Sequence, residues 1–196
     1  DAVTLLETAS TMYPENVDIQ TELLNAYQMT GQVDKALDRY KSAVERDPSN
    51  ALFRYNYGSL LIQIGNYGDA IAQLNEAIAI DPNYSSAHYN IGAAHINQAV
   101  DVNSEIATMD DDLRANRDDM SNDDIDAAEA AMDAKIEERR MHFDMAVAPL
   151  ETAKVLFEAI GEDVSDVCRA LFQSYAQTNQ TDKAQSVSAC AGYEDN

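Results

Sequence analysis

Apolar and small residues recur along most of the chain at intervals of three and four, which is the period of an amphipathic α-helix. Short polar turns separate these stretches, and several contain a glycine or an Asp-Pro pair, as at Gly65 and Asp81-Pro82. Proline stops a helix because it lacks the N–H group and restricts the residue before it. The pattern predicts an all-α protein with helices near residues 1–12, 17–30, 33–46, 51–64, 67–80, 85–113, 122–160, 164–178 and 181–192.

The chain also repeats itself with a period of 34 residues. Pro14, Pro48 and Pro82 lie 34 positions apart, and Gly31 and Gly65 keep the same spacing. Two alanine series and a series of large side chains share this register, namely Ala2, Ala36 and Ala70; Ala9, Ala43 and Ala77; and Leu6, Tyr40 and Leu74. Chance does not place five residue types in one register. A 34-residue unit of two helices is therefore the building block of this chain.

Three stretches carry a family resemblance: LLNAYQMTGQVDKALDRYKSAVERDP (23–48), YNYGSLLIQIGNYGDAIAQLNEAIAIDP (55–82) and HYNIGAAH (88–95). Gly58 and Gly92 stand where a repeat needs a small residue for close helix packing. The chain thus resembles bacterial tetratricopeptide repeat (TPR) proteins, and this resemblance implies a right-handed superhelix, or α-α solenoid. It divides a single domain, 1–196, into the second helix of a truncated repeat (1–14), repeats at 17–50, 51–84 and 85–160, and a final repeat with cap (164–192).

The third repeat is interrupted. Gly92 and its matching Ala146 are 54 residues apart, whereas Gly58 and Ala70 are 12 apart, which leaves an insertion of 42 residues. Apolar residues within it keep the helical period on both sides of residues 114–121, and Ser121 stands three residues before Asp124, as in a helix-capping box. The insertion is therefore predicted to be an antiparallel helical hairpin that projects from the stack.

The charge balance is strongly acidic. Asp and Glu total 35 against 13 Lys and Arg, which gives a net charge of −22. Such a surface repels nucleic-acid phosphates and anionic lipids, so we expect no nucleic-acid partner and no direct membrane insertion. The 22 Asp and only 5 Lys indicate a salt-adapted, halophilic protein, with an ordinary acidic protein as the alternative.

Two cysteines are too few for a disulfide scaffold or a zinc site. Cys168 lies early in the first helix of the last repeat and Cys190 late in the second, so antiparallel helices bring them close together. They are either reduced core thiols or a disulfide, which would imply an oxidising compartment. The sequence is compatible with a location in the bacterial cytoplasm and with one in the cell envelope or periplasm.

Catalytic and metal-binding motifs are absent from the sequence. His88 and His95 are seven residues apart, too far along a helix to share one metal ion, and occupy inward-facing positions. The acidic stretch at residues 110–126 lacks the glycine and the final glutamate of an EF-hand. No nucleophile elbow, phosphate loop or HExxH helix occurs. We therefore expect no catalytic residue, no metal and no cofactor.

The resemblance implies a function in protein binding, because the first helices of such repeats line a concave groove. One subgroup of the family binds acidic peptide tails through groove lysines, but Thr21, Tyr55 and Tyr89 replace those lysines here. An apolar or cationic partner therefore fits better. The groove residues implied by register are Asn25, Met29, Leu52, Tyr55, Ser59, Ile62, Tyr89, Ala93, Ile96, Arg169 and Gln173.

The leading interpretation is a non-catalytic scaffold that binds a peptide or protein segment of unknown identity. The alternative is a structural or assembly protein that associates with itself through the hairpin or the open N-terminal end.

Overall fold

The structure, a computed structural model, describes residues 2–13 and 16–193, and no strand occurs among them. Asp1, predicted as the first helical residue, and Pro14 lie outside the described residues. The helices are α1 Ala2–Met12, α2 Val17–Met29, α3 Val33–Arg46, α4 Ala51–Gln63, α5 Tyr67–Ile80, α6 Ser85–Asn116, α7 Asn122–Ile160, α8 Ser165–Gln177 and α9 Thr181–Ser188. A 3₁₀ turn, Arg117–Asp119, joins α6 to α7. The all-helical prediction is confirmed.

The described residues form two compact units, one that ends at Asp81 and one that begins at Pro82. The prediction of a single domain over 1–196 stays a prediction. In the first unit, α1 to α4 contribute to a core that contains Leu23, Tyr27 and Tyr40. In the second, α6 to α9 enclose a core that contains Leu150 and Leu171. In each unit, helices that follow one another along the chain pack against each other.

The first unit contains a polar junction between α1, α2 and α3. The Glu7 carboxylate accepts hydrogen bonds from the Tyr27 hydroxyl at 2.7 Å and from the Lys35 ammonium at 3.0 Å. The ammonium also lies 5.5 Å from the centre of the Tyr27 ring. Tyr27 is buried, so this contact gives its hydroxyl the partner that a buried polar group needs.

The second unit contains the same junction between α7, α8 and α9. The Glu151 carboxylate accepts hydrogen bonds from the Tyr175 hydroxyl at 2.6 Å and from the Lys183 ammonium at 3.1 Å. The ammonium lies 5.2 Å from the centre of the Tyr175 ring. Each unit thus ties three successive helices together with one carboxylate, one phenol and one ammonium group.

The two long helices, α6 and α7, pack against each other as the predicted antiparallel hairpin. Ion pairs cross the hairpin from Lys135 to Glu105 at 2.7 Å and from Arg117 to Glu129 at 3.1 Å. At the start of α7, the Ser121 hydroxyl accepts a hydrogen bond from the backbone N–H of Asp124, which confirms the predicted cap.

The helix bounds differ from the prediction mainly at two places. α6 continues to Asn116, three residues beyond the predicted end. α9 ends at Ser188, four residues before the predicted end, and the chain then turns at Gly192, whose φ is +81°. This left-handed conformation favours glycine, and the Tyr193 N–H then bonds the Ser188 carbonyl at 2.9 Å.

Candidate partner-binding groove

A cavity of the second unit lies between α6 and α8. We call it the second-unit groove, and its volume is about 600 Å³. It is lined by Tyr89, Ala93, Ile96, Asn97, Asp166, Arg169, Ala170, Phe172, Gln173, Ala176, Gln177 and Tyr193. All five residues predicted from register in this unit, Tyr89, Ala93, Ile96, Arg169 and Gln173, lie in it together.

Helical spacing explains why these residues meet. Tyr89, Ala93 and Ile96 follow each other by four and three along α6, so they share one face. Arg169 and Gln173 are four apart on α8. Asn97 and Gln177 were not predicted, although each follows a predicted residue of the same helix by four positions. That periodicity is the signal that could have found them.

An aromatic wall closes one side of the groove. The rings of Phe172 and Tyr193 are tilted against each other, with centroids 4.5 Å apart. Tyr193 lies beyond α9, and the disulfide between Cys168 and Cys190 ties this segment to α8 with a Cα–Cα distance of 5.7 Å. The predicted proximity of the two cysteines is confirmed, and they are bonded. The sequence carried no signal for Tyr193, because it lies outside the repeat register.

The polar side chains of the groove are mostly amides. Asn97, Gln173 and Gln177 each carry one hydrogen-bond acceptor and two donor hydrogens. Arg169 and Asp166 form an ion pair with each other, so their charges largely offset. Burial raises the pKa of the Tyr89 phenol, and the Asp166 carboxylate adds to that shift. The groove therefore presents a neutral tyrosine, amides and apolar side chains.

A smaller cavity of about 210 Å³ shares Gln173 and Gln177 with the groove and extends it along α6. Its other lining residues are Ala99, Val100, Asn103, Arg139 and Phe143. The Arg139 guanidinium donates a hydrogen bond to the Asn103 side-chain oxygen at 2.6 Å. The lined surface therefore continues from α8 to the base of the hairpin.

The six predicted groove residues of the first unit lie on α2 and α4. Asn25 and Met29 are exposed on α2, with Met29 88% exposed. On α4, Leu52, Tyr55, Ser59 and Ile62 have the spacing of one helix face, and Leu52 is 41% exposed. None of the six lines the second-unit groove.

The three histidines differ in their surroundings. His95 is buried, its Nδ1 lies 3.1 Å from the Gln98 side-chain oxygen, and burial lowers its pKa. His88 is half-buried, with Nε2 3.0 Å from the Pro82 carbonyl oxygen. His142 lies beside His95, with ring centroids 6.3 Å apart.

Over residues 2–13 and 16–193, no group of three or more His, Cys, Asp or Glu side chains could hold a metal ion. Within the same described ranges, no helix has the length and apolar character needed to cross a membrane.

Comparison with known sequences places the repeats in a family. The family models described as "TPR repeat" and "Tetratricopeptide repeat" match residues 58–98 and 40–72, respectively. RNA polymerase II-associated protein 3 of Xenopus tropicalis is 32% identical over 90 residues. That match covers 46% of this chain and 14% of the Xenopus protein, so the chain spans only a small part of this relative.

Solved structures share the fold. The crystal structure of MamA aligns over 97% of this chain and 84% of its own length, with a TM-score of 0.66 and 17% identity. The complex of the TPR2B domain of yeast Sti1 with pHsp70 aligns over 84% of this chain and 96% of that chain, with a TM-score of 0.51 and 18% identity. With its 34-residue register, its paired helices and the two model matches over residues 40–98, the chain carries tetratricopeptide repeats.

Proposed function

We propose that this chain is a non-catalytic scaffold that binds an extended segment of a partner protein in the second-unit groove. The observation that carries the proposal is the cavity of about 600 Å³ in which all five register-predicted residues lie beside Phe172 and Tyr193. Its volume falls within the usual range of roughly 300–1,000 Å³ for ligand sites, and it is lined mainly by apolar, aromatic and amide groups.

The lining chemistry defines the kind of segment that fits. Amide side chains such as Gln173 and Gln177 can donate to peptide carbonyls and accept from peptide N–H groups, so they suit an extended main chain. Tyr89, Phe172 and Tyr193 offer aromatic surface to apolar side chains of the partner, or ring faces to a cation. The net charge of −22 opposes an acidic segment.

The relatives are consistent with this role. The TPR2B domain of yeast Sti1, which shares the fold, was solved in a complex with pHsp70. A helical repeat of this type can therefore hold another protein. The partner of the present chain is defined only by its chemistry: an extended segment, apolar or cationic, without a cluster of carboxylates.

A photo-crosslink tests the proposal directly. We would replace Gln173, which is exposed in the groove, with a photoreactive benzoylphenylalanine and illuminate the full chain in lysate of the source organism at its native salt concentration. The expected result is one crosslinked protein, attached through a single extended segment. The matched control carries the same group at Ala72, an exposed position on α5, and should not form that product.

The segment recovered by crosslinking then allows an affinity measurement. Tyr89→Ala combined with Phe172→Ala should weaken binding about thirtyfold or more, because loss of one aromatic anchor often costs about 2 kcal/mol. Val155→Ala, which truncates an exposed side chain of α7 outside the groove, should bind like the wild type. Helicity should stay close to the wild-type value in both variants, whereas the melting temperature of the double variant should fall, because Tyr89 and Phe172 pack against the core of the second unit.

The first-unit residues remain part of the proposal. We propose that Tyr55 contacts a partner segment on the α4 face of the first unit, as its register implies, and Tyr55→Ala should weaken that contact in a binding titration. If the Tyr89 and Phe172 variants bind normally while deletion of residues 103–140, replaced by a short turn, abolishes binding, the groove is not the recognition element and the hairpin is.

A further inference from the structure

We propose that the end of the α6–α7 hairpin is a second docking surface, which accepts an apolar side chain from a basic segment of another protein. The feature is a cleft of about 270 Å³, which we call the tip cleft. Its lining residues are Met109, Asp112, Leu113, Asn116, Met120 and Ala128. The cleft shares no residue with the second-unit groove, so the proposal stands independently of the function proposed above.

The geometry of the tip cleft suits a single inserted side chain. Its four α6 residues are spaced by three, one and three positions and share one helix face. Leu113 is buried at 7% exposure, while Met109 and Met120 are half-buried. Ala128 supplies only a methyl group from α7, which leaves the space between the helices open. The volume is below the roughly 300–1,000 Å³ of small-molecule sites.

The methionines make the cleft adaptable. Their unbranched thioether side chains have several rotatable bonds and fit apolar groups of different shapes. An apolar side chain that enters between Met109 and Met120 is removed from water, and its burial contributes about 25 cal/mol for each Å² of apolar surface. The cleft therefore supplies the apolar part of a binding site.

The charges around the tip cleft define the rest of the partner. Residues 101–140 contain 14 acidic and 5 basic side chains. Arg114 and Arg117 pair with Asp110 and Glu129, at 2.6 and 3.1 Å. Asp111, Asp112, Asp118 and Asp119 are exposed and form no ion pair within the described part of the chain. Of these carboxylates, Asp112 lines the cleft, and Asp118 and Asp119 lie in the turn that joins its two helices.

Only one class of occupant is stabilised both by the apolar cleft and by the acidic side chains of the hairpin. A second copy of this chain, with the same net charge of −22, would bring like charges together. Nucleic acids and anionic lipid surfaces are repelled for the same reason. A segment that carries Lys or Arg on either side of an apolar residue gains burial in the cleft and attraction to the rim. The occupant is therefore a basic, amphipathic protein segment.

Fluorescence anisotropy with a defined probe tests this inference. The probe is a labelled synthetic helix with leucines on one face and lysines on the other, titrated with the full chain in about 0.1 M KCl, where surface charges act over about 10 Å. Ala128→Phe fills the cleft without changing any charge, and it should weaken binding about tenfold. Asp112→Asn with Asp119→Asn should weaken binding severalfold and reduce its salt dependence.

The matched control removes two charges elsewhere. Glu22→Gln with Glu76→Gln neutralises exposed carboxylates of the first unit and should bind within about twofold of the wild type. Ala128→Met provides a milder filling of the cleft, should Ala128→Phe lower helicity. Hydrogen exchange should show protection at residues 109–128 when the probe is bound.

Three results would overturn the proposal. Equal binding by the wild type and both filling variants would mean that the probe is held by diffuse charge alone. If the first-unit control weakened binding as much as Asp112→Asn with Asp119→Asn, the probe would likewise be held by diffuse charge. A dimer in sedimentation that Ala128→Phe converts to a monomer would assign the cleft to a second copy of the chain.

Discussion

Gly92 illustrates how one missing side chain sets the distance between two helices. A Cβ atom at this position would lie 2.5 Å from Cγ of Leu150, which is fully buried. Gly58 is in the same situation, since its Cβ would lie 2.7 Å from Cγ of Leu74 and 3.1 Å from the Ala70 carbonyl oxygen. Both glycines were predicted as close-packing positions, and the structure shows which leucine fills each gap.

We predict that Gly92→Ala lowers the free energy of unfolding by about 1–3 kcal/mol, because overpacking outweighs the roughly 0.5–1 kcal/mol that alanine gains over glycine in a helix. Urea denaturation measures the change. Gly68→Ala is the control, since a Cβ there meets nothing within 4 Å, and this variant should be neutral or slightly more stable. If the free energy of unfolding of Gly92→Ala equalled that of the wild type, Leu150 would be able to shift.

A second prediction concerns pH and the junction at Glu151. The hydrogen bond from Tyr175, and then the neighbouring Lys183, hold the pKa of the Glu151 carboxyl below its usual value. Because the folded pKa is lowered, ionised Glu151 stabilises the fold above the unfolded pKa of about 4.3, and this contribution is lost as the pH falls through the folded value.

Tyr175→Phe should therefore cost about 1 kcal/mol at neutral pH, and the difference from the wild type should shrink in acid, below about pH 4. Urea midpoints at both pH values test this. Tyr13→Phe, at an exposed phenol, serves as the control and should cost little at either pH. A Tyr175→Phe effect of the same size in acid would exclude the charged carboxylate as its source.

At the scale of elements, the repeat register and the local end signals predicted most of the fold. The bounds of α3, α5 and α7 agree with the prediction, because turn residues, an Asp-Pro pair or a capping serine mark their ends. The positive φ angles of Gly31 and Gly65 show why the register keeps glycine there. The predicted end of α9, at residue 192, was wrong. The contacts of Tyr193 and the disulfide in this segment are tertiary, and the periodicity of the sequence does not predict them.

The sequence also predicted part of the candidate site. Residues that follow the helical period, such as Tyr89 and Gln173, were found from register alone. Phe172 was not among the predicted groove residues, and its contact with Tyr193 is apparent only once the chain has turned back along α8. Sequence patterns therefore predict the helical sides of the groove better than its aromatic wall.

The last helix pair yields a third prediction, on reduction of the disulfide. Cys168 and Cys190 are 22 residues apart in the sequence. In the chain-entropy model, a disulfide that closes a loop of this length adds about 3 kcal/mol to the free energy of unfolding. Dithiothreitol should lower the melting temperature and speed hydrogen exchange at residues 189–193. The Cys168→Ser, Cys190→Ser variant is the control and should not respond to the reductant. Unchanged exchange after reduction would show that the Phe172–Tyr193 contact holds this segment by itself.

At the scale of the whole molecule, the charge of −22 leads to a fourth prediction. Many acidic side chains repel one another in the folded state, and salt screens that repulsion. If the acids are an adaptation to salt, the melting temperature should climb steadily into molar KCl. A flat response above about 0.2 M would favour the ordinary acidic protein instead, since the Debye length is then already below about 8 Å.

The paired junctions at Glu7 and Glu151 have a practical consequence. One polypeptide holds the same carboxylate, phenol and ammonium group twice, with carboxylate contacts of 2.7 and 3.0 Å in one copy and 2.6 and 3.1 Å in the other. A single NMR titration of the two side-chain carboxyl carbons would record both copies in the same tube, at one temperature and one ionic strength. Any difference between the pKa values of the two carboxyl groups would then reflect the different surroundings of the two junctions. Each junction thus serves as the reference for the other.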